Sequence, residues 1–280
     1  VDAYLARLAL SFLVGGGTVA AFTTIAERGN PRVGGLLLSF PVKVTVSLVL
    51  IALNEGVAFA AQSATATPAG MAANVVFIAA TALLVRRLAP WPAIAAALAL
   101  WAAAGLAIVL WLPAGLAWSF PLWALSAVVA LLLLARLPRV HAAPPARPAP
   151  LSWWKLAGRA AGAGAVVAGS IVVAHYGGPI LGGLASVFPS GFITTMVILT
   201  RKRGADFTGA TVRVMVAGTA APALFGVAIA FAYPALGILW GTLACLAFAA
   251  CVSLGVGVVL RWRQSRREPA GHLGQPAPKP

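Results

Sequence analysis

Two cations lie inside apolar runs of this chain. Lys43 sits within 33–53 and Arg213 within 207–231. At the rise of an α-helix that puts Lys43 roughly 15 Å deep and Arg213 about 10 Å from the end of its segment. An ionisable residue inside a membrane span marks a functional position unless its head reaches the interface. No acid lies at matching depth, because the chain has only Asp2, Glu27, Glu55, Asp206 and Glu268, and Asp206 is two turns from Arg213 on the same face. Two cations without buried acids suit contact with an anion or an anionic headgroup. The opposing account is snorkelling, which is easy for Arg213 and harder for Lys43.

The residues around Lys43 strengthen the first account. The motif G-x-P-x-x-G-G-L-x-x-x-F-P holds Gly34, Gly35 and Pro41, and it recurs with Gly182, Gly183 and Pro189. Proline fits the first turn of a helix, because it has no N–H to donate. A helix opened by Pro41 would run to about Asn54, which is too short to cross a bilayer alone. Its broken end would need protein or a water-filled cavity around it. The alternative is a continuous, proline-kinked helix whose glycines allow close packing. Glu27 and His175 each stand just before a Gly/Pro turn, either as proton-coupling groups or as interfacial polar residues. Glu55, at the start of a short connection, reads as solvated.

Other chemistries find little material. Five acids in 280 residues leave few paired carboxylates or hard-metal cages. GGGT (15–18) lacks the spacing and lysine of a phosphate loop, and no nucleophile–base set is evident, so no catalytic residue, metal or cofactor is expected. Cys245 and Cys251, six residues apart on one apolar helix, face different directions, cannot easily bridge and read as buried small hydrophobes.

The elements that must position these residues are membrane spans. The chain is 61% hydrophobic and 9% charged, with a mean hydropathy of +0.96. That excludes an ordinary soluble domain, which carries about 25% charged residues. Nine apolar runs are long enough to cross: 8–26, 33–53, 57–85, 90–112, 117–135, 158–175, 180–200, 207–231 and 235–260. The first, preceded by Arg7, has features of a cleaved signal sequence, but its internal counterpart argues against that reading. The net charge of +15 reflects Lys and Arg placed after spans one, three, five, seven and nine, with none after spans two, four, six and eight. By the positive-inside rule the N-terminus lies outside and the C-terminus in the cytoplasm. Nucleic acid is not an expected partner. Membrane lipids and a small solute are, with self-association left open.

Sliding the sequence by 148 positions aligns 26–70 with 174–218 without a gap, matching Gly29/Gly177, Pro31/Pro179, Gly34/Gly182, Gly35/Gly183, Phe40/Phe188, Pro41/Pro189 and Gly56/Gly204. The expected organisation is a four-span repeat over 1–112, a connecting fifth span over 113–140 and a Pro-rich cytoplasmic linker over 141–157. A second repeat follows over 158–260, then a basic tail over 261–280 that reads as disordered. The odd span between them inverts the second repeat, a plan of many secondary transporters with sites at the repeat interface. Trp91, Trp111, Trp118 and Trp123 fall at span ends, as an interfacial belt does.

The stretch GGLASVFPSGFITTMVILTRKRGADFTGATVRV (182–214), with a weaker copy at 34–65, resembles the GlpM-type family of small bacterial inner-membrane proteins. Family members are single four-span units with a Gly-Leu…Phe-Pro stretch and a charged-Gly turn; here Gly182, Gly183, Phe188, Pro189 and Gly204 carry the likeness. The first copy has NEG (54–56) where the second has RKRG, in keeping with opposite orientation. The resemblance implies a bacterial-type inner membrane and a link to exopolysaccharide production. A fused, inverted pair also resembles small four-span drug/metabolite transporters that form antiparallel dimers. The resulting expectation is an all-α transporter of a small anionic or polar solute, contacted by Lys43 and Arg213. The alternative is a non-transporting scaffold for cell-envelope or exopolysaccharide assembly.

Overall fold

A computed structural model describes residues 2–28, 41–137 and 153–265; within its helices the side chains of 2, 3, 23, 25–28, 155, 198, 199, 201–211 and 260–265 are not described. Every element among the described residues is an α-helix. They are α1 (Asp2–Arg28), α2 (Val42–Glu55), α3 (Val57–Thr65), α4 (Thr67–Leu84), α5 (Pro90–Trp111), α6 (Leu116–Ala135), α7 (Trp153–Ser186), α8 (Ser190–Gly218) and α9 (Ala220–Ser265). Most of the linker 141–157 and all but the start of the tail 261–280 fall outside the described residues, as do Gly34 and Gly35.

Among the described residues, six helical stretches are long and apolar enough to cross a membrane. Two of them, Leu156–Val197 and Val212–Val259, are 42 and 48 residues long. Straight, each would span about twice a bilayer's hydrocarbon core. Neither is straight. Gly178 has φ 83° and Gly237 has φ 70°, left-handed conformations that glycine adopts without strain. Gly182 packs on Ala174 across the first of these breaks, and Gly241 packs on Tyr233 and Ala232 across the second. Residues eight or nine apart lie about 12 Å apart along an unbroken helix, so the chain folds back at both glycines. Pro179 follows the first, at the opening of the returning arm.

Three expected boundaries move. Span three is two helices, because Pro68 has no N–H to continue the ladder across Ala66. The reversal before the last span is at Gly237 rather than at 232–234. The backbone stays helical through 201–206, where the charge run predicted a connection. Arg and Lys are good helix formers, and charge by itself does not end a helix.

The hairpin side of the bundle is sharply graded. Of the most apolar 18 residues of Val57–Leu84, 78% are buried inside the protein, against 17% for the corresponding window of Pro90–Trp111 and 11% for that of Leu116–Ala135. The α3–α4 segment is therefore the centre, and α5 and α6 present most of their surface outward. Cys245 is buried as expected, but Cys251 is exposed, because six residues on, it faces the other side of its helix. Trp91, Trp111 and Trp118 are exposed, as a belt requires. Trp123 departs from that expectation: its indole turns inward and donates to Thr219 Oγ1 at 3.0 Å.

α1 packs along the first arm of α7, running antiparallel to it. The Tyr4 ring meets the His175 ring, Gly15 meets Val167, and Gly16 meets Ala160. Gly164 in turn meets Phe12. Positions 12 and 160, and 16 and 164, are each 148 apart, so the two helices exchange the same contact.

Candidate functional site: two interrupted helices joined by Lys43

The second arm of α7 ends at Ser186, and Pro189 opens α8 with non-helical φ −76° and ψ 30°. Pro41 opens α2 in nearly the same way, with φ −79° and ψ 43°. Of the two sequence readings, a helix start at proline is the one found at both places. Breaking the ladder at Pro189 leaves main-chain carbonyls without their usual helical partners. Asn74 Nδ2 on buried α4 donates to the Val187 carbonyl at 2.9 Å. Its Oδ1 accepts from Trp101 Nε1 at 2.9 Å, and Trp101 meets the Phe188 ring edge-on at 5.2 Å.

The next carbonyl, that of Phe188, accepts from Lys43 Nζ. The same ammonium donates to Ser190 Oγ at 3.2 Å. Lys43 is the second residue of α2, so it ties the start of one proline-opened helix to the start of the other. Both helix starts carry unpaired N–H groups and a partial positive charge. The Phe188 carbonyl offsets this at the end of the short arm, which explains how an ammonium is held there. One turn along the same face, Ser47 is fully buried and its Oγ has no partner among the described residues.

Small residues bring these elements together. A Cβ at Gly183 would strike the Ser63 carbonyl on α3, and one at Gly70 would strike Val187. Gly182 faces Ala174 on the other arm of its own hairpin.

Arg213 answers to different carbonyls. Its Nε donates to Leu134 O at 2.9 Å and its Nη2 to Leu137 O at 2.7 Å, at the C-terminal end of α6. A guanidinium there adds to the backbone bond that the Leu134 carbonyl accepts from Leu137 N–H and meets the negative end of the helix dipole. A cleft of about 390 Å³ lined by Leu83, Leu84, Arg86, Arg87 and Leu137 lies at the same end.

His175 and Glu55, from opposite repeats, are brought together. Nδ1 and Oε1 are 2.8 Å apart, and the Tyr4 and Tyr176 rings flank the imidazole at 4.9 Å each. Glu55 is therefore paired, where the sequence reading had it solvated: the reversal at Gly178 and the packing of α2 on α7 bring it to a residue 120 positions away. The side chain of Glu27, which the 148-residue shift pairs with His175, lies outside the described residues.

Sequence reasoning missed Asn74, Trp101 and Ser190. Two of them carried a signal: Asn74 is the one amide in the apolar stretch 67–84, and Trp101 lies mid-run rather than at an end. Among the described residues no group of acids, histidines and cysteines could hold a metal ion. The arrangement offers an ammonium, two helix starts and hydroxyls, which suits a small anion. No protein-family model, no curated protein and no solved structure matches this chain.

Proposed function

We propose that the chain is a nine-crossing secondary transporter of a small anion or polar solute, built from two inverted repeats in a bacterial-type inner membrane. Its N-terminus faces outward and its C-terminus the cytoplasm. The observation that carries this reading is Lys43 joining the starts of two helices opened by the equivalent prolines Pro41 and Pro189. Interrupted helices in corresponding repeat positions are a recurring device of transporter binding sites. Support for inversion comes from α1 and the first arm of α7, which run antiparallel while exchanging contacts at positions 148 apart. Support for the sidedness comes from Tyr4, Glu55 and His175, which the charge rule assigns to one membrane face and which meet at one end of the bundle.

In this reading the solute competes with the Phe188 carbonyl and Ser190 for the Lys43 ammonium. Pro41 and Pro189, with Gly182 and Gly183, shape the site, and Gly34 and Gly35 are their counterparts. Arg213 leaves the solute site, because its guanidinium is taken by the end of α6. The second reading is the scaffold for envelope or exopolysaccharide assembly that the GlpM-type resemblance suggests. It is favoured by one fact: both cations already end on main-chain carbonyls.

Purified protein in proteoliposomes, offered gradients of chloride, nitrate, phosphate and short carboxylates, separates the two. A current or uptake with at least one anion is expected. Lys43→Gln should reduce it about tenfold or more, the loss of one charge-assisted bond, while Arg213→Gln stays within about twofold. No flux of any anion, or flux indifferent to Lys43→Gln, would leave the scaffold.

A further inference from the structure

We infer that the Glu55–His175 pair is a proton site that fastens α2 to α7, and that it is the coupling site of the transport cycle. The inference rests on the transport reading for its role in a cycle, but the fastening is argued from geometry alone. α2 is joined to α7 or to the junction that follows it at both of its ends. In its first turn, Lys43 holds the Phe188 carbonyl and Ser190. In its last, Glu55 holds His175, three residues before the reversal at Gly178. The two fastenings are twelve residues apart on one uninterrupted helix, a rod of about 18 Å. A helix of that length moves as a unit, so loosening one end changes the strain on the other.

The two fastenings answer to different ligands. The deeper one would be opened by a solute anion drawing off the ammonium. The outer one is solvent-accessible, with side-chain exposures of 42% for His175 and 19% for Glu55, so protons reach it freely. Histidine changes charge near neutrality, and a carboxylate stays ionised there. With His175 protonated the contact is an ion pair and α2 is held. With the proton gone, a single imidazole N–H to carboxylate bond is left without the opposing charge, and α2 is freer to swing.

The groups that face the pair come from α1 and α7, and on α9, which packs on α2, the Tyr233 hydroxyl pairs with Thr242 Oγ1. α1 contributes Tyr4, whose ring lies on the imidazole, and the exposed Arg7 three residues on. α7 itself contributes Tyr176. α3, α4 and α5, which also pack on α7, contain no acid, base or tyrosine. On α8 the cation Arg213 ends on α6 carbonyls. The sequence holds a further pointer: the positions 148 before His175 and 148 after Glu55 are Glu27 and Arg203, again of opposite charge, with the acid and base exchanged.

Ala52, buried one turn before Glu55, and Leu53, exposed beside it, provide the reporter. With Cys245 and Cys251 replaced by Ala, Ala52→Cys and Leu53→Cys proteins in nanodiscs are reacted with a small soluble methanethiosulfonate at pH 6 and pH 8. The ratio of the two rates cancels the thiol's own pH dependence. From pH 6 to pH 8 this ratio should rise about fivefold, the scale of one partly exposed ion pair. His175→Gln and Glu55→Gln should each hold it at the pH 8 level throughout, and the exchange Glu55→His with His175→Glu should restore the rise. A flat ratio in the parent, or a rise that survives both single substitutions, overturns the proton site. The readout needs no solute. A pH response without anion flux therefore sinks only the transport reading, and flux abolished by Lys43→Gln with a flat ratio sinks only the proton site.

Discussion

Lys43 and Arg213 use the same bond in two unlike places. Each is a cation donating to main-chain carbonyls next to the end of a helix. Arg213 does so at the terminus of α6, beside the open cleft of Arg86 and Arg87, where a guanidinium commonly stabilises a helix end. Lys43 does so at a break surrounded by α4, α5 and the returning arm of α7, with two positive helix starts beside it. The first is stability obtained cheaply at an edge. The second carries a desolvation cost that an apolar side chain would avoid. A cation kept at such a position argues for a use other than holding the fold.

That contrast can be broken in three ways. The largest effect is expected at Gly183, which brings the returning arm onto the Ser63 carbonyl. Gly183→Leu should cost about 3 kcal/mol or more, read as loss of monodisperse protein on size exclusion. Gly169→Leu, which meets nothing within 4 Å, should be silent. Next is Asn74, which holds the same break without a charge. Asn74→Leu should lower stability by about 1.5 kcal/mol in mixed-micelle denaturation, at the upper end for membrane hydrogen bonds. The smallest effects are the most telling, because they should differ in sign. Arg213→Met should destabilise by about 1 kcal/mol, whereas Lys43→Met should be neutral or stabilise by about 1 kcal/mol. Equal losses at both would make Lys43 another helix cap and remove the energetic argument for a solute site.

The legible parts of this molecule were the local ones. The shared F-P motif marked Pro41 and Pro189 as equivalent places where a helix starts or kinks, since a missing N–H acts within one turn, and left the choice between the two to the structure. Apolar run length foretold α5 and α6 to within a residue or two. What escaped was set by packing between distant segments. The partners of Lys43 lie 145 and 147 positions away, and those of His175 include a carboxylate 120 positions away. Charge runs misled at 201–206, because Arg and Lys serve equally well inside a helix and after one. Trp123 misled for a related reason: an indole at a span end reads as a belt residue until a threonine on another helix is found beside it.

The crossing of α1 with α7 has a consequence of its own. Gly16 lies on Ala160 while Gly164 lies on Phe12, so the two strips of surface are each other's mold and each other's cast. An interface of this kind is what a single helix would form with a second copy of itself laid head to tail. Its two halves cannot drift freely. A larger side chain at position 16 pushes back the very helix whose own glycine, at 164, needs Phe12 to stay where it is. A change on one helix is thus felt at both contact points of the crossing, and the small residues on each are held in place by the other.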